Sequence, residues 1–347
     1  MLRFLASRIG VMILTALCLT FFVFFLTNLY PSLEKLAKTE GNMRMTDAQV
    51  VSWIEKNGYA EPVLSRYGQW LGVVPYNHLN PDDGVKSRCK RERADGTKPT
   101  FCGIIQGYWG FSSVFKEPVW DIVAKRLAAT GMLMFWVMVV MVPMALTIGI
   151  LAGMREGSRT DRSLSTFSIA TTATPEYVSG VILIVIFASS MGGLKWFKGT
   201  ATSALDKGLS FENFTLPVMT MALYGMGYIA RMTRASMAEV MTAQYIRTAR
   251  LKGVAFHNIV IKHALRNALI APFTVIMLQF PWLLTGVVIV EVLFNFKGFG
   301  WTLVQAAGNN DIELLLGCSV VAVFVVLVTQ LISDIGYVYL NPRIRVS

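Results

Sequence analysis

Long apolar stretches alternate along the chain with shorter segments rich in arginine and lysine. A helix needs about 20 apolar residues to cross the roughly 30 Å hydrocarbon core of a bilayer. Six stretches reach or approach this length, and only the third contains an acidic or basic residue, Glu176. They predict six transmembrane helices, at residues 9–30, 127–154, 167–194, 214–230, 268–290 and 314–333.

The composition supports a lipid environment. Of the 347 residues, 54% are hydrophobic and only 15% are charged, whereas soluble domains carry about 25% charged residues. A net charge of +11 is compatible with nucleic-acid binding. However, the basic residues flank the apolar stretches and no basic patch is interleaved with aromatic residues. We therefore expect membrane lipid, and not nucleic acid, as a partner.

Basic residues concentrate in the segments that six crossings would place on one side of the membrane. The positive-inside rule makes that side the cytoplasm. We predict a multi-pass protein of the bacterial inner membrane with both termini in the cytoplasm, and with the first span retained as an anchor. The basic residues used are Arg3, Arg8, Arg155, Arg159, Arg162, Arg231, Arg234, Arg247, Arg250, Lys252, Lys262, Arg266, Arg343 and Arg345.

The segment after the first span, residues 31–117, is predicted to lie in the periplasm. It contains enough aromatic residues to pack a small cap. Residues 46–57 predict a short amphipathic helix, with Thr46 or Asp47 as its N-cap and Gly58 at its end. The polar run 77–100 predicts a loop because Pro and Gly interrupt it.

Two of the four cysteines fall in this periplasmic segment. We expect Cys89 and Cys102 to form a disulfide because the periplasm is oxidising. A metal pair is the alternative, with His78 as the nearby imidazole. Cys18 and Cys318 lie within spans and are interpreted as small packing residues.

The basic stretch between the fourth and fifth spans, residues 231–266, is too long for a simple connector. Helical patterning continues on both sides of Gly253, which predicts a sharp turn between two short helices. A basic helix pair in the cytosol is a docking element for a partner with an acidic or polar groove. The alternative is a helix that binds anionic lipid at the membrane surface.

Several motifs in and beyond this stretch resemble those of binding-protein-dependent ABC permeases. The resemblance is narrower to the first permease of the dipeptide, oligopeptide and nickel branch. It extends over nearly the whole chain except about residues 72–103. The motifs are Arg247-Thr-Ala-Arg-Leu-Lys-Gly253, His263-Ala-Leu-Arg-Asn-Ala268, Glu291-Val-Leu-Phe-Asn295, Gly298-Phe-Gly300, Asn341-Pro-Arg-Ile-Arg345, Arg8 and Arg66-Tyr-Gly-Gln-Trp-Leu71.

The resemblance implies an all-α integral membrane protein with the six-helix fold of a type I ABC importer permease. The first helix and its cytoplasmic tip would span residues 1–30, and a periplasmic insertion residues 31–117. The transmembrane core would follow at 118–340 and a cytoplasmic tail at 341–347. A cytoplasmic coupling loop would occupy 237–266 within the core, with its helix at about 249–261 and Gly253 as the bend. The coupling residues implied are Arg247, Thr248, Ala249, Lys252, Gly253, His263 and Leu265.

The resemblance also implies the partners. Two paralogous permeases would form a heterodimer that contacts two ATPase subunits and a periplasmic substrate-binding protein. The chain contains no G-x-x-x-x-G-K-[ST] phosphate-binding loop, so we expect ATP and magnesium to bind to the partner subunits and this chain to be neither an enzyme nor a cofactor or metal carrier. A secondary transporter is the less favoured alternative, because we identify neither internal repeats nor central intramembrane charges.

Two acidic residues in or near spans are candidates for a pathway or gate, because ionisable groups in a membrane are costly. Glu176 follows Pro175, and a helix start or interfacial water is the favoured interpretation over a substrate role. Glu291 lies at the end of the fifth span and is expected either to pair with Lys297 or to gate the pathway.

The transported solute is predicted to be a peptide. Nickel chelates, opines and sugars are alternatives within the same branch, where the binding protein does most of the selecting.

Overall fold

Helices dominate the computed structural model, which describes residues 2–75, 78–80, 84–86, 100–189, 195–204 and 210–340. Side chains are described for these residues except 2–5, 78–80, 84–86, 203, 284–286 and 337–340. The long and short α-helices are α1 Leu2–Thr27, α2 Tyr30–Glu40, α3 Asp47–Lys56, α4 Val63–Leu71, α5 Val119–Gly153, α6 Arg159–Ala173, α7 Glu176–Phe187, α8 Phe211–Met241, α9 Gln244–Leu251, α10 Phe256–Asn258, α11 Leu265–Ala268, α12 Ile270–Leu293, α13 Phe299–Gly308 and α14 Ile312–Leu340. A π-helix, Ile259–Ala264, joins α10 to α11.

Within the described part of the chain, three helical stretches are long and apolar enough to cross a membrane, namely Ala6–Thr27, Val119–Gly153 and Ile312–Gly336. Two bent helix pairs, Arg159–Ala173 with Glu176–Phe187 and Phe256–Ala268 with Ile270–Leu283, raise the number to five if each pair is one span. The remaining predicted span, the fourth at 214–230, lies within α8. This helix has 31 residues, of which 17 are buried. The uncharged part of α8 is short, because Glu212 and Arg231 lie on either side of the predicted span, whereas a crossing helix needs about 20 apolar residues.

The third span is not the straight helix that its apolar pattern predicts. It is broken between α6 and α7, whose axes differ by 107°. Proline lacks an N–H and disfavours helical dihedrals in the residue before it, so helix α6 ends at the residues preceding Pro175. Thr174 is accordingly extended, with φ −87° and ψ 122°.

The structure divides the chain into two compact units. The large unit comprises Met1–Phe4, Arg126–Trp301 and Val325–Ser347, and the small unit comprises Leu5–Lys125 and Thr302–Phe324. These boundaries differ from the predicted division at residues 30 and 117, which followed the expected membrane topology. In the small unit, apolar residues from parts of α1 and α14 form a hydrophobic core together with the helices that lie between α1 and α5.

Within the large unit, α8 is the central element and packs against α6, α7, α11 and α12. Its backbone approaches its neighbours closely. A Cβ atom built on Gly227 would lie 2.4 Å from the Ser168 carbonyl oxygen of α6, and one built on Gly149 of α5 would lie 2.6 Å from the Ala230 carbonyl oxygen. Small residues at such contacts let helices pack without a side chain between them.

The small unit contains the predicted aromatic cap. Helices α2, α3 and α4 bury apolar residues against parts of α1 and α14, in a cluster that includes Phe24, Leu36, Ile54, Tyr67, Trp70 and Leu316. The predicted amphipathic helix is confirmed as α3. The Thr46 N–H donates to Gln49 Oε1 at 3.0 Å, and Gly58 follows the helix with φ +76°.

The run predicted as a loop, 77–100, contains a short antiparallel pair of strands, β1 His78–Asn80 and β2 Gly84–Lys86. The all-helical fold class is otherwise confirmed for the described residues. Cys102 is 2% exposed, whereas Cys18 and Cys318 are free thiols. Cys89 and the tail 341–347 lie outside the described residues, so the Cys89–Cys102 disulfide stays a prediction.

Replacing Gly227 by alanine should destabilise the large unit, because the new Cβ forces α8 away from the Ser168 carbonyl. Overpacking of this kind costs about 1–3 kcal/mol. The melting midpoint of the purified protein in mild detergent should therefore fall. Gly10→Ala is the matched control, since a Cβ on Gly10 meets nothing within 4 Å. Equal midpoints for the two variants would contradict the close α6–α8 packing.

Candidate functional site

The candidate site is the segment from α9 to α11, residues 244–268, which we call the coupling segment. It begins directly after α8, and Gly253 turns the chain between its two helical halves. Gly253 has φ +75°, and its N–H donates to the Arg250 carbonyl at 3.0 Å. The Val254 N–H donates to the Ala249 carbonyl at 3.2 Å. These two bonds form a Schellman motif, which ends α9.

The predicted turn at Gly253 is therefore confirmed, but a single bent helix over 249–261 is wrong. Helix α9 ends at Leu251, and the next helix begins at Phe256. The left-handed conformation of Gly253 cannot continue an α-helix, so the turn separates two helices and does not bend one. The π-helix that follows, Ile259–Ala264, is a feature often found at functional sites.

One face of the coupling segment is anchored on α8 and the end of α5. Met237 and Met241 of α8 bury against Ile246 and Ala249 of α9, and the cluster also contains Ile259, Val260, Ala264 and Ala268. Val254 and Leu265 pack on its edge. Two predicted coupling residues, Ala249 and Leu265, thus belong to the anchoring face.

Polar contacts reinforce this apolar anchor. The Ser236 hydroxyl of α8 donates to the Ala268 carbonyl at 2.8 Å. The Asn267 amide donates to the Tyr245 hydroxyl at 3.0 Å. The guanidinium of Arg155, in the turn after α5, lies 5.6 Å from the centre of the Phe256 ring. The segment is therefore held at both of its helical halves.

The opposite face of the coupling segment is exposed. It contains the other five predicted coupling residues, which are Arg247, Thr248, Lys252, Gly253 and His263. Sequence reasoning missed Leu251, whose side chain is 82% exposed beside Lys252. Its position on the helix could have indicated this exposure. Ile246 and Ala249 define the buried face of α9, and Leu251 lies outside that face. The structure thus presents an apolar side chain within a basic surface.

Glu176 is the first residue of α7, directly after the break in the third span. This matches the interpretation of Glu176 as a residue at a helix start, where a carboxylate interacts favourably with the helix dipole. Its Oε2 atom is buried and has no hydrogen-bond partner among the described residues. A role in a pathway stays a prediction.

Glu291 lies near the end of α12 and is completely buried. Its carboxylate accepts hydrogen bonds from the Thr130 hydroxyl and, at 2.8 Å, from the Trp301 N–H. The Phe299 N–H donates to Thr130 Oγ1 at 2.8 Å. Glu291 and Thr130 together satisfy amides in the first turn of α13. Among the described contacts, none joins the Glu291 carboxylate to Lys297. The backbone carbonyl oxygen of Lys297 instead accepts a hydrogen bond from Arg126.

No group of three or more His, Cys, Asp or Glu side chains that could hold a metal ion occurs among the described residues. The geometry of the site is that of an anchored helical segment with an exposed basic face, on a protein with several apolar helices long enough to cross a membrane. This arrangement defines a class of protein: a membrane protein with several apolar helices and an anchored helical segment that exposes a basic face.

Comparison with known proteins identifies the family. Residues 145–346 match the model of the binding-protein-dependent transport system inner membrane component, and the chain belongs to that family. It is 30% identical to a probable peptide ABC transporter permease of Sinorhizobium fredii, over 99% of this chain and 98% of that protein. The resemblance found in the sequence motifs is thereby confirmed, as is the inner-membrane location.

Further relatives have similar lengths. The chain is 28% identical to the oligopeptide transport system permease AppB of Bacillus subtilis, over 87% of each chain. It is 27% identical to a putative peptide permease of Brucella ovis over the whole of both chains. A solved amino acid ABC transporter matches 62% of this chain and 93% of its own at 17% identity with a TM-score of 0.47, and a score below 0.5 does not by itself establish a shared fold.

Replacing Gly253 by valine should loosen the turn of the coupling segment. A β-branched side chain at φ +75° is strained by about 1–2 kcal/mol, although no atom lies within 4 Å of the new Cβ. Amide hydrogen exchange in peptides covering 247–257 should accelerate. Gly253→Asn is the control because asparagine tolerates the left-handed region. Unchanged exchange in the valine variant would contradict the role of the turn.

Replacing Glu291 by alanine should destabilise the protein by about 1–3 kcal/mol, because the Trp301 amide and the Thr130 hydroxyl lose a buried acceptor. Glu291→Gln keeps an acceptor oxygen in the same place and should lower the melting midpoint less. If both variants melt at the same temperature as the wild type, Glu291 does not hold the start of α13.

Proposed function

We propose that the chain is the transmembrane permease subunit of an ATP-binding-cassette importer for peptides, coupled to ATPase subunits through the coupling segment. The observation that carries the proposal is the two-faced character of this segment in a member of the binding-protein-dependent transport family. One face is anchored to α8, and the other exposes Leu251 and basic residues.

The exposed face supports docking to an ATPase. An apolar side chain surrounded by polar and charged ones matches the usual layout of a protein interface, in which a polar rim surrounds an apolar centre. The rim here contributes Arg247, Arg250, Lys252 and Lys262, all exposed. It would favour an acidic or polar cleft and guide its approach. We assign contact with the ATPase to Arg247, Thr248, Leu251, Lys252, Gly253 and His263, and anchoring to Ala249 and Leu265.

We further propose that the coupling segment and both termini lie in the cytoplasm. The basic residues of the segment support this orientation through the positive-inside rule. ATP hydrolysis then occurs on two partner ATPase subunits, because the sequence has no phosphate-binding loop. A second, paralogous permease forms the other half of the pathway, and a periplasmic binding protein delivers the solute.

Peptides are the proposed solute because the relatives that match most of this chain are named as peptide or oligopeptide permeases. The first test is purification of the tagged protein from its native membrane in mild detergent, with identification of the accompanying chains. A second permease and one or two ATPases are the expected partners. Recovery of the protein alone, under conditions that preserve other such complexes, would overturn the proposal.

Replacing Leu251 by glutamate should weaken ATPase binding by about 2 kcal/mol or more, the loss typical of a hot-spot residue. The subunit should remain folded, since the side chain is 82% exposed. ATPase recovery in the same purification measures the effect. Leu64→Glu is the matched control, a 72% exposed leucine of α4 outside the segment. Equal ATPase recovery from both variants would remove Leu251 from the contact.

A further inference from the structure

A partly buried ion pair joins α6 to α8 next to the coupling segment. The Arg234 Nε–H donates to Asp161 Oδ1 at 2.5 Å, and its Nη2–H donates to Oδ2 at 2.8 Å. The Asp161 side chain is 3% exposed and that of Arg234 is 30% exposed. This two-bond geometry fixes orientation as well as distance, which a lysine could not do.

Asp161 also organises the start of α6. Its carboxylate accepts from the Gly157 N–H at 2.8 Å and from the Ser165 hydroxyl at 3.0 Å. Its own N–H donates to the Ser158 hydroxyl, the N-cap of α6, at 3.1 Å. Asp161 therefore links Arg234 of α8 directly to the first turn of α6.

Arg234 is joined to the coupling segment through one turn of α8. Ser236, two residues on, donates to the Ala268 carbonyl, and Met237 lies in the apolar cluster that holds α9. A Cβ built on Gly153 of α5 would lie 2.7 Å from Met237 Cβ, so little free space exists around this turn. A regular helical turn packed this tightly transmits displacement with little loss.

At its other end, α6 leads to the 107° break before α7. We propose that the Asp161–Arg234 pair is the joint through which movement of the coupling segment reaches this broken span, and that both are positioning residues for transport. The proposal rests on the importer function proposed above. A pair with a purely structural role would stabilise the fold without affecting how much solute moves per ATP.

The test uses the complete complex in proteoliposomes, with the binding protein and radiolabelled trialanine as the probe. ATP hydrolysis and uptake are measured in the same vesicles. In the Asp161→Asn variant, the amount of trialanine taken up per ATP hydrolysed should fall about tenfold. The rate of ATP hydrolysis per assembled complex should change little. A tenfold change lies within the usual range of coupling between two sites. Arg234→Gln should lower this ratio at least as much, because Arg234 also lies 3.7 Å from Glu156 and the variant loses both contacts. The double variant should be no worse than Arg234→Gln, because Asp161 has then already lost its partner.

Arg162→Gln is the matched control, since Arg162 is an exposed neighbour of Asp161 on α6. It should keep the wild-type ratio. If the Asp161→Asn complex does not assemble, Arg234→Lys takes its place, because it keeps the charge but loses the two-bond geometry. It should lower the ratio of uptake to ATP hydrolysed.

A wild-type ratio in the Asp161 and Arg234 variants, or a proportional fall of uptake and ATP hydrolysis, would overturn the proposal. Absence of peptide uptake by the wild-type complex would instead count against the proposed function, so the two failures are distinguishable.

Discussion

At Gly227, Gly149 and Gly153 the backbone of α8 and its neighbours come so close that no side chain fits between them. Lipid tails are as apolar as leucine, so burial alone gives membrane helices little reason to associate, and close contacts of this kind supply the attraction. The other features of the large unit depend on α8. It is the base of the coupling segment, it carries Arg234, and the two halves of the broken third span pack on it.

The apolar pattern predicts much of this fold, and it fails where neighbours change what a helix needs. The approximate positions of the long apolar helices follow from the apolar pattern. The amphipathic helix α3 follows from its periodicity together with Thr46 and Gly58. The break in the third span does not, because apolar residues continue on both sides of it. Pro175 marks the position, but prolines also lie inside α5, α8 and α12, which continue through them. The sequence shows where a helix can break, and packing decides whether it does.

The candidate site divides in a similar way. Gly253 is predictable because glycine adopts φ +75° at the least cost of any residue, and a Schellman motif needs that conformation. Leu251 is harder to recognise, because exposure depends on which face of an eight-residue helix is anchored. Asp161 and Arg234 are 73 residues apart in the sequence. Taken singly, each is also explained as a charged residue near the membrane surface, so the sequence does not indicate that they form a pair. Counting charges gives topology, but it does not reveal which two charges meet.

Two kinds of contact hold the coupling segment, and they differ in what they can transmit. The apolar cluster around Met237 and Met241 is non-directional, so it holds the segment against α8 without fixing its orientation. The Ser236–Ala268 hydrogen bond is directional, and so is the Arg234–Asp161 pair that continues from α8 to α6; each loses strength when its geometry changes. The apolar cluster therefore keeps the segment on α8, and the directional bonds are the contacts that tie its orientation to α6.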